Sequence, residues 1–117
     1  MKVICALLIA ATIGLVAAGA AWSTVPPKLL GTVGPGFTIS LKQNGKLVKT
    51  LKASRYTFVI SDKANIHDFH LRGPGLSRVI TGVGFTGTKT VTIALKRDTY
   101  NYMCDVHPSM HGSFKVV

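Results

Sequence analysis

Thr99-Tyr100-Asn101-Tyr102-Met103-Cys104-Asp105-Val106-His107-Pro108-Ser109-Met110-His111-Gly112 is the most informative stretch of this chain. Its first half alternates. Tyr100, Tyr102 and Cys104 fall on one side of an extended strand, and Asn101 and Met103 on the other, because successive strand side chains point to opposite faces. The strand ends at Cys104, and a short loop then offers His107 and Met110. A thiolate, an imidazole and a thioether at this spacing can wrap one ion with little rearrangement. Pro108 narrows the loop's conformational freedom and helps to hold that arrangement in an empty site. Gly112 is read as the turn into a last strand carrying Phe114 and Val116.

The remaining histidines form one further cluster, His67-Asp68-Phe69-His70. With period two, His67, Phe69 and Leu71 share an apolar, inward face, while Asp68, His70 and Arg72 share the other. His67 is therefore the ligand candidate, and His70 points outward unless a bulge intervenes. Two imidazoles, one thiolate and a weak axial thioether suit a soft or borderline metal, and are the donors of a trigonal blue-copper electron-transfer site. Zinc is the inorganic rival. It accepts two His and one Cys but rarely a thioether. Its set would take His111 in place of Met110, and adjacent residues point apart.

Outward from these clusters the chain keeps alternating. Phe37, Ile39 and Leu41 read as one inward face, followed by the hairpin signal Asn44-Gly45 and a return through Leu47 and Val48. Tyr56, Phe58 and Ile60, then Val91, Ile93 and Leu95, repeat the pattern. Turn residues recur at Ser61-Asp62, Gly73-Pro74-Gly75, Gly82 to Gly87 and Arg97-Asp98, and no helical period competes. Seven or eight short strands with one buried face each predict an all-β sandwich or barrel.

The N-terminus reads differently. Lys2, an apolar run over residues 3–19 and Ala18-Gly19-Ala20 have the pattern of a signal peptide cleaved after Ala20, with an uncleaved anchor as its rival. The expected organisation is a leader at 1–20, a linker at 21–31 broken by Pro26-Pro27 and Gly31, and one domain at 32–117. Cys5 leaves with the leader. Cys104 is then an unpaired cysteine in an exported protein, a position that metal ligation protects. The chain from Ala21 carries thirteen Lys and Arg against four Asp and no Glu, a net charge of +9. Export, and lysines scattered from Lys42 to Lys115 without interleaved aromatics, argue against nucleic acid. Two readings stand: a merely solvated basic surface, or one that docks an acidic protein partner or an anionic envelope polymer by steering.

These two ligand segments resemble those of the cupredoxins, and within them the plastocyanin–amicyanin group. Tyr102-Met103-Cys104-Asp105-Val106-His107-Pro108-Ser109-Met110 is similar to the Tyr-x-Cys-x-x-His-x-x-Met loop, with the short spacing of amicyanin. His67-Asp68-Phe69-His70 is similar to the His-Asn-x-His segment. The resemblance spans roughly residues 32–117. It implies an eight-stranded Greek-key sandwich and one type 1 copper ion held by His67, Cys104, His107 and Met110. Asp68 departs from the family's Asn, which helps to tie the two segments together. An ionised Asp cannot donate a hydrogen bond from its side chain.

The expected function is a monomeric, non-enzymatic single-electron carrier in the periplasm or outside the cell. Its partners would be transient redox proteins with acidic docking surfaces, and the mature domain would not insert into membranes. His107 would be the electron exit, with Val106, Pro108, Ser109 and Gly84-Phe85 as a small docking patch. The alternative is a copper carrier or scavenger. Only Met103 and Met110 remain after the leader, which disfavours a Met-rich loading site. An oxidase or reductase needs more copper centres than four histidines can build. His70 and His111 are expected to be surface histidines.

Overall fold

The computed structural model describes residues 25–117, together with Gly14. The leader and its cleavage after Ala20 lie outside the described residues. Ten strands follow in chain order: β1 (Lys28–Val33), β2 (Ile39–Gln43), β3 (Lys46–Leu47), β4 (Thr50–Leu51), β5 (Ser54–Asp62), β6 (Phe69–Gly73), β7 (Leu76–Thr81), β8 (Gly87–Leu95), β9 (Asp98–Cys104) and β10 (His107–Val116). Eight of them have five or more residues, and β3 and β4 have two each. They form two five-stranded sheets, β3-β2-β1-β5-β8 and β4-β10-β9-β6-β7. Among the described residues there is no helix, and none that could cross a membrane.

Alternation explains the sandwich. Along β5, Tyr56, Phe58 and Ile60 are buried; along β9, Tyr100, Tyr102 and Cys104; along β10, Phe114 and Val116. Each sheet thus has one apolar face, and the two faces close on each other to remove it from water. Phe69 stacks on Tyr102 with ring centroids 5.5 Å apart, and Tyr100 on Phe114 at 5.4 Å. The Tyr100 hydroxyl accepts the Lys96 N–H at 2.9 Å, which satisfies the buried phenol. The Asn44-Gly45 hairpin forms as read, with φ of 50° and 79° and Lys42 opposite Leu47. Two positive φ values in a two-residue loop match the twist of the flanking strands.

Three local readings differ. The first strand begins at Lys28, inside the stretch read as linker; pairing with β2 on one side and β5 on the other overrides its glycine. Phe37 is not an inward strand residue: it precedes β2 and is 67% exposed. Gly112 is not a turn. It sits within β10 opposite Tyr102, and a Cβ there would collide with the Tyr102 ring. The glycine leaves room for an aromatic packed across two strands.

Candidate metal centre

The second sheet brings the two histidine clusters together. β6 and β9 are neighbours, with His70 opposite Met103 and Leu71 opposite Tyr102. His67 precedes β6, so it arrives at the same end of the sandwich as Cys104, the last residue of β9. β10 then pairs back on β9, His107 opposite Cys104 and His111 opposite Met103. Residues 108–110 have no counterpart on β9 and bulge outward, as an irregularity at a sheet rim does when it re-aims side chains. Within that bulge Met110 alone turns inward: it is 2% exposed, whereas Pro108, Ser109 and His111 are exposed.

Three donor atoms converge. His67 Nδ1 lies 3.1 Å from His107 Nδ1, and Cys104 Sγ lies 3.7 Å from each of them. The centre of that triangle is about 2.0 Å from every donor, close to the 2.0–2.1 Å of a metal–nitrogen bond and the 2.3 Å of a metal–sulfur bond. Two imidazole lone pairs that face each other at 3.1 Å repel unless a proton or a cation lies between them. His67 Nε2 is buried without a hydrogen-bond partner, so Nδ1 is the nitrogen this environment engages. The donor set fits a type 1 copper ion. His111 does not compete for the fourth place. It is exposed, and its Nδ1 lies 3.0 Å from the Pro108 carbonyl oxygen.

The segments are also tied outside the triangle. The Asp68 N–H points at Cys104 Sγ at 3.5 Å, and the Asp105 N–H donates to Asp68 Oδ1 at 2.6 Å. Burial, and the Asp105 side chain beside it, push the Asp68 carboxyl above its ordinary range. Burial acts on Asp105 too. There the hydrogen bonds from Asp68 and His70 and the nearby Arg72 charge outweigh it, and Asp105 is held below the usual carboxylate range. Of the two carboxyls, Asp68 is therefore the one that keeps its proton to higher pH. The protonated form has an O–H to donate, which recovers what an Asn would supply.

Two features escaped the sequence. His70 is buried, at 7% exposure, although it lies on the outer face. The register slips between Phe69 and His70, and Asp105, Ser77 and Arg72 close over the ring. Phe37 stands over the triangle with its ring edge-on to His67 and His107, at centroid distances of 5.7 and 5.0 Å. Nothing local in the sequence marks that contact, because it depends on where the β1–β2 loop folds. Val106, Pro108 and Ser109 are exposed as expected of a rim. The Gly84 N–H donates to the Asn65 carbonyl at 3.1 Å, which brings the Gly84-Phe85 loop against the segment leading to His67.

No protein-family model matches the sequence, and no curated protein does. Solved structures do match. Reduced rusticyanin superposes with a TM-score of 0.57 at 19% identity, covering 77% of this chain and 78% of that one. Auracyanin A, a "blue" copper protein of the green thermophilic photosynthetic bacterium Chloroflexus aurantiacus, superposes with 0.56 at 16% identity, covering 80% and 100%. An oxidised amicyanin variant superposes with 0.50 at 16% identity, covering 77% and 82%. These likenesses show that the chain has the cupredoxin fold.

Proposed function

We propose that this cupredoxin-fold chain is a type 1 copper protein that carries single electrons between redox partners outside the cytoplasm. The observation that carries the reading is the convergence of His67 Nδ1, Cys104 Sγ and His107 Nδ1, with Met110 buried in the bulge that follows His107. These four residues would hold the ion, which when bound supplies a one-electron Cu(I)/Cu(II) couple.

The rest of the work belongs to the chain. Cys104 contributes a fully buried thiolate, out of reach of oxidants and other thiols. Three of the four candidate donors stand on β9 and β10, and the fourth is tied to them through Asp68, so the fold itself fixes the segments that carry them. His107 is half-buried among exposed Phe37, Val106 and Pro108, and its ring is the short route between ion and surface. An apolar rim of this size suits a brief encounter rather than a permanent complex. The excess of Lys and Arg over Asp would steer partners with acidic surfaces to it. The proposed location follows from the leader pattern and from a free cysteine that a metal protects.

Visible absorption of the purified protein with Cu(II), before and after ascorbate, tests this. An intense blue band that bleaches on reduction and returns on reoxidation is the expected outcome. Tight binding without that band would make the protein a copper carrier or scavenger instead.

A further inference from the structure

His70 is the one buried histidine that the proposed function leaves unused. Its Nδ1 lies 2.9 and 2.8 Å from the two Asp105 carboxylate oxygens, and its Nε2 lies 2.8 Å from the Ser77 hydroxyl. Arg72 Nε, which can only donate, faces Nε2 at 3.4 Å. Nε2 therefore accepts, and the proton sits on Nδ1, aimed at Asp105. Arg72 Nη2 also lies 3.7 Å from Asp105 Oδ1. The Ser77–His70–Asp105 order is that of a hydrolytic relay, but Ser77 stands on a regular strand opposite Arg72, whose Nε also faces Nε2.

Asp105 immediately follows Cys104. It is gripped twice: at its amide by Asp68 Oδ1 and at its carboxylate by His70. Asp68 in turn follows His67 and directs its own N–H at Cys104 Sγ. We propose that His70 is a positioning residue, which clamps Asp105 and so holds the Cys104 and His67 segments in register before a metal arrives. Without the clamp, the Asp105 side chain keeps only the longer approach of exposed Arg72 and its amide only the bond to Asp68, so the turn between the paired Cys104 and His107 loosens. The effect on copper rests on reading Cys104 as a ligand; the effect on the Asp105 backbone does not.

Amide hydrogen exchange of the metal-free full chain tests the clamp, with His70→Ala, His70→Gln and His70→Asn compared. The Asn side chain places an N–H near the position of Nδ1, whereas Gln places it near Nε2. Exchange at the Asp105 amide is expected to quicken about tenfold in H70A and H70Q and to return towards the native rate in H70N, with β2 and β5 unchanged. After Cu(II) addition, the thiolate band should shift and weaken in H70A and H70Q and recover in H70N. Equal Asp105 exchange in all variants, or acceleration spread evenly over both sheets, overturns the proposal. Should the native protein show no thiolate band, the copper reading fails, while the exchange pattern still decides the clamp; H70Q serves if H70A does not fold.

Discussion

Gly34→Ala isolates one contact behind the metal triangle. Gly34 has φ of +72°, and a Cβ there would lie 2.9 Å from His67 Cδ2 and 3.4 Å from the Ala64 Cβ. Left-handed backbone costs an L-residue about 1–2 kcal/mol. Carbon atoms rest about 3.5 Å apart, so the imidazole or the loop must retreat by roughly 0.6 Å. Donor positions at a metal site tolerate about 0.2 Å. Gly45→Ala is the matched control: φ there is +79°, and nothing lies within 4 Å of its Cβ. Both variants should therefore lose about 1–2 kcal/mol from the backbone alone, a fall in Tm of roughly 4–16 °C for a domain this size, and G34A somewhat more for the contact with His67. Only G34A should also lose copper affinity, by about 10–100-fold, as when a group supporting a ligand is disturbed. Thermal denaturation of the metal-free protein and competitive Cu(II) titration separate the two effects. Equal copper affinity in G34A and G45A would falsify the claim that Gly34 seats His67.

Four further outcomes follow from the same geometry. Met110→Leu conserves volume and should change stability by less than about 1.5 kcal/mol, yet move the midpoint potential in a redox titration, because it removes the thioether; an unmoved potential would dismiss Met110 as a ligand. His107→Ala should abolish the blue band while His111→Ala leaves it intact, since His111 is exposed and turned to Pro108; absorption of both variants decides. Gly112→Ala should cost about 1–3 kcal/mol by forcing a methyl into the Tyr102 ring, against under about 0.5 kcal/mol for Gly36→Ala, where nothing lies within 4 Å; urea unfolding measures both. Asp68 has a raised folded pKa, so its stabilising contribution is full below the unfolded value of 3.8 and is lost as pH rises through the folded value. Asp68→Asn removes that loss and keeps the oxygen that accepts the Asp105 N–H, so its Tm relative to native should be higher at pH 7 than at pH 4. A pH-independent difference would contradict the burial of a titrating Asp68.

Much of the fold was legible because strand burial has a period of two. Tyr56, Phe58 and Ile60, and Tyr100, Tyr102 and Cys104, each place one face inward whatever their neighbours do. Asn44-Gly45 sets its hairpin locally through positive φ. The candidate ligands were legible for a chemical reason: Cys, His and Met at three-residue spacing have few other uses together. That reasoning reached His67, Cys104, His107 and Met110, all of which converge or turn inward.

What the sequence determined by itself was therefore which residues could face inward and which could bind a soft metal. Both follow from side-chain chemistry and from alternation within a single strand. Tertiary structure alone decided the rest. Lys28–Val33 became a strand because β2 and β5 offer it partners on both sides. Phe37 left the core because its loop folds over the two imidazoles. His70 was buried because Asp105 and Ser77, thirty-five and seven residues away, converge on its ring. Each of these depends on groups distant in sequence meeting across strands or sheets, and no local pattern of side chains records such a meeting.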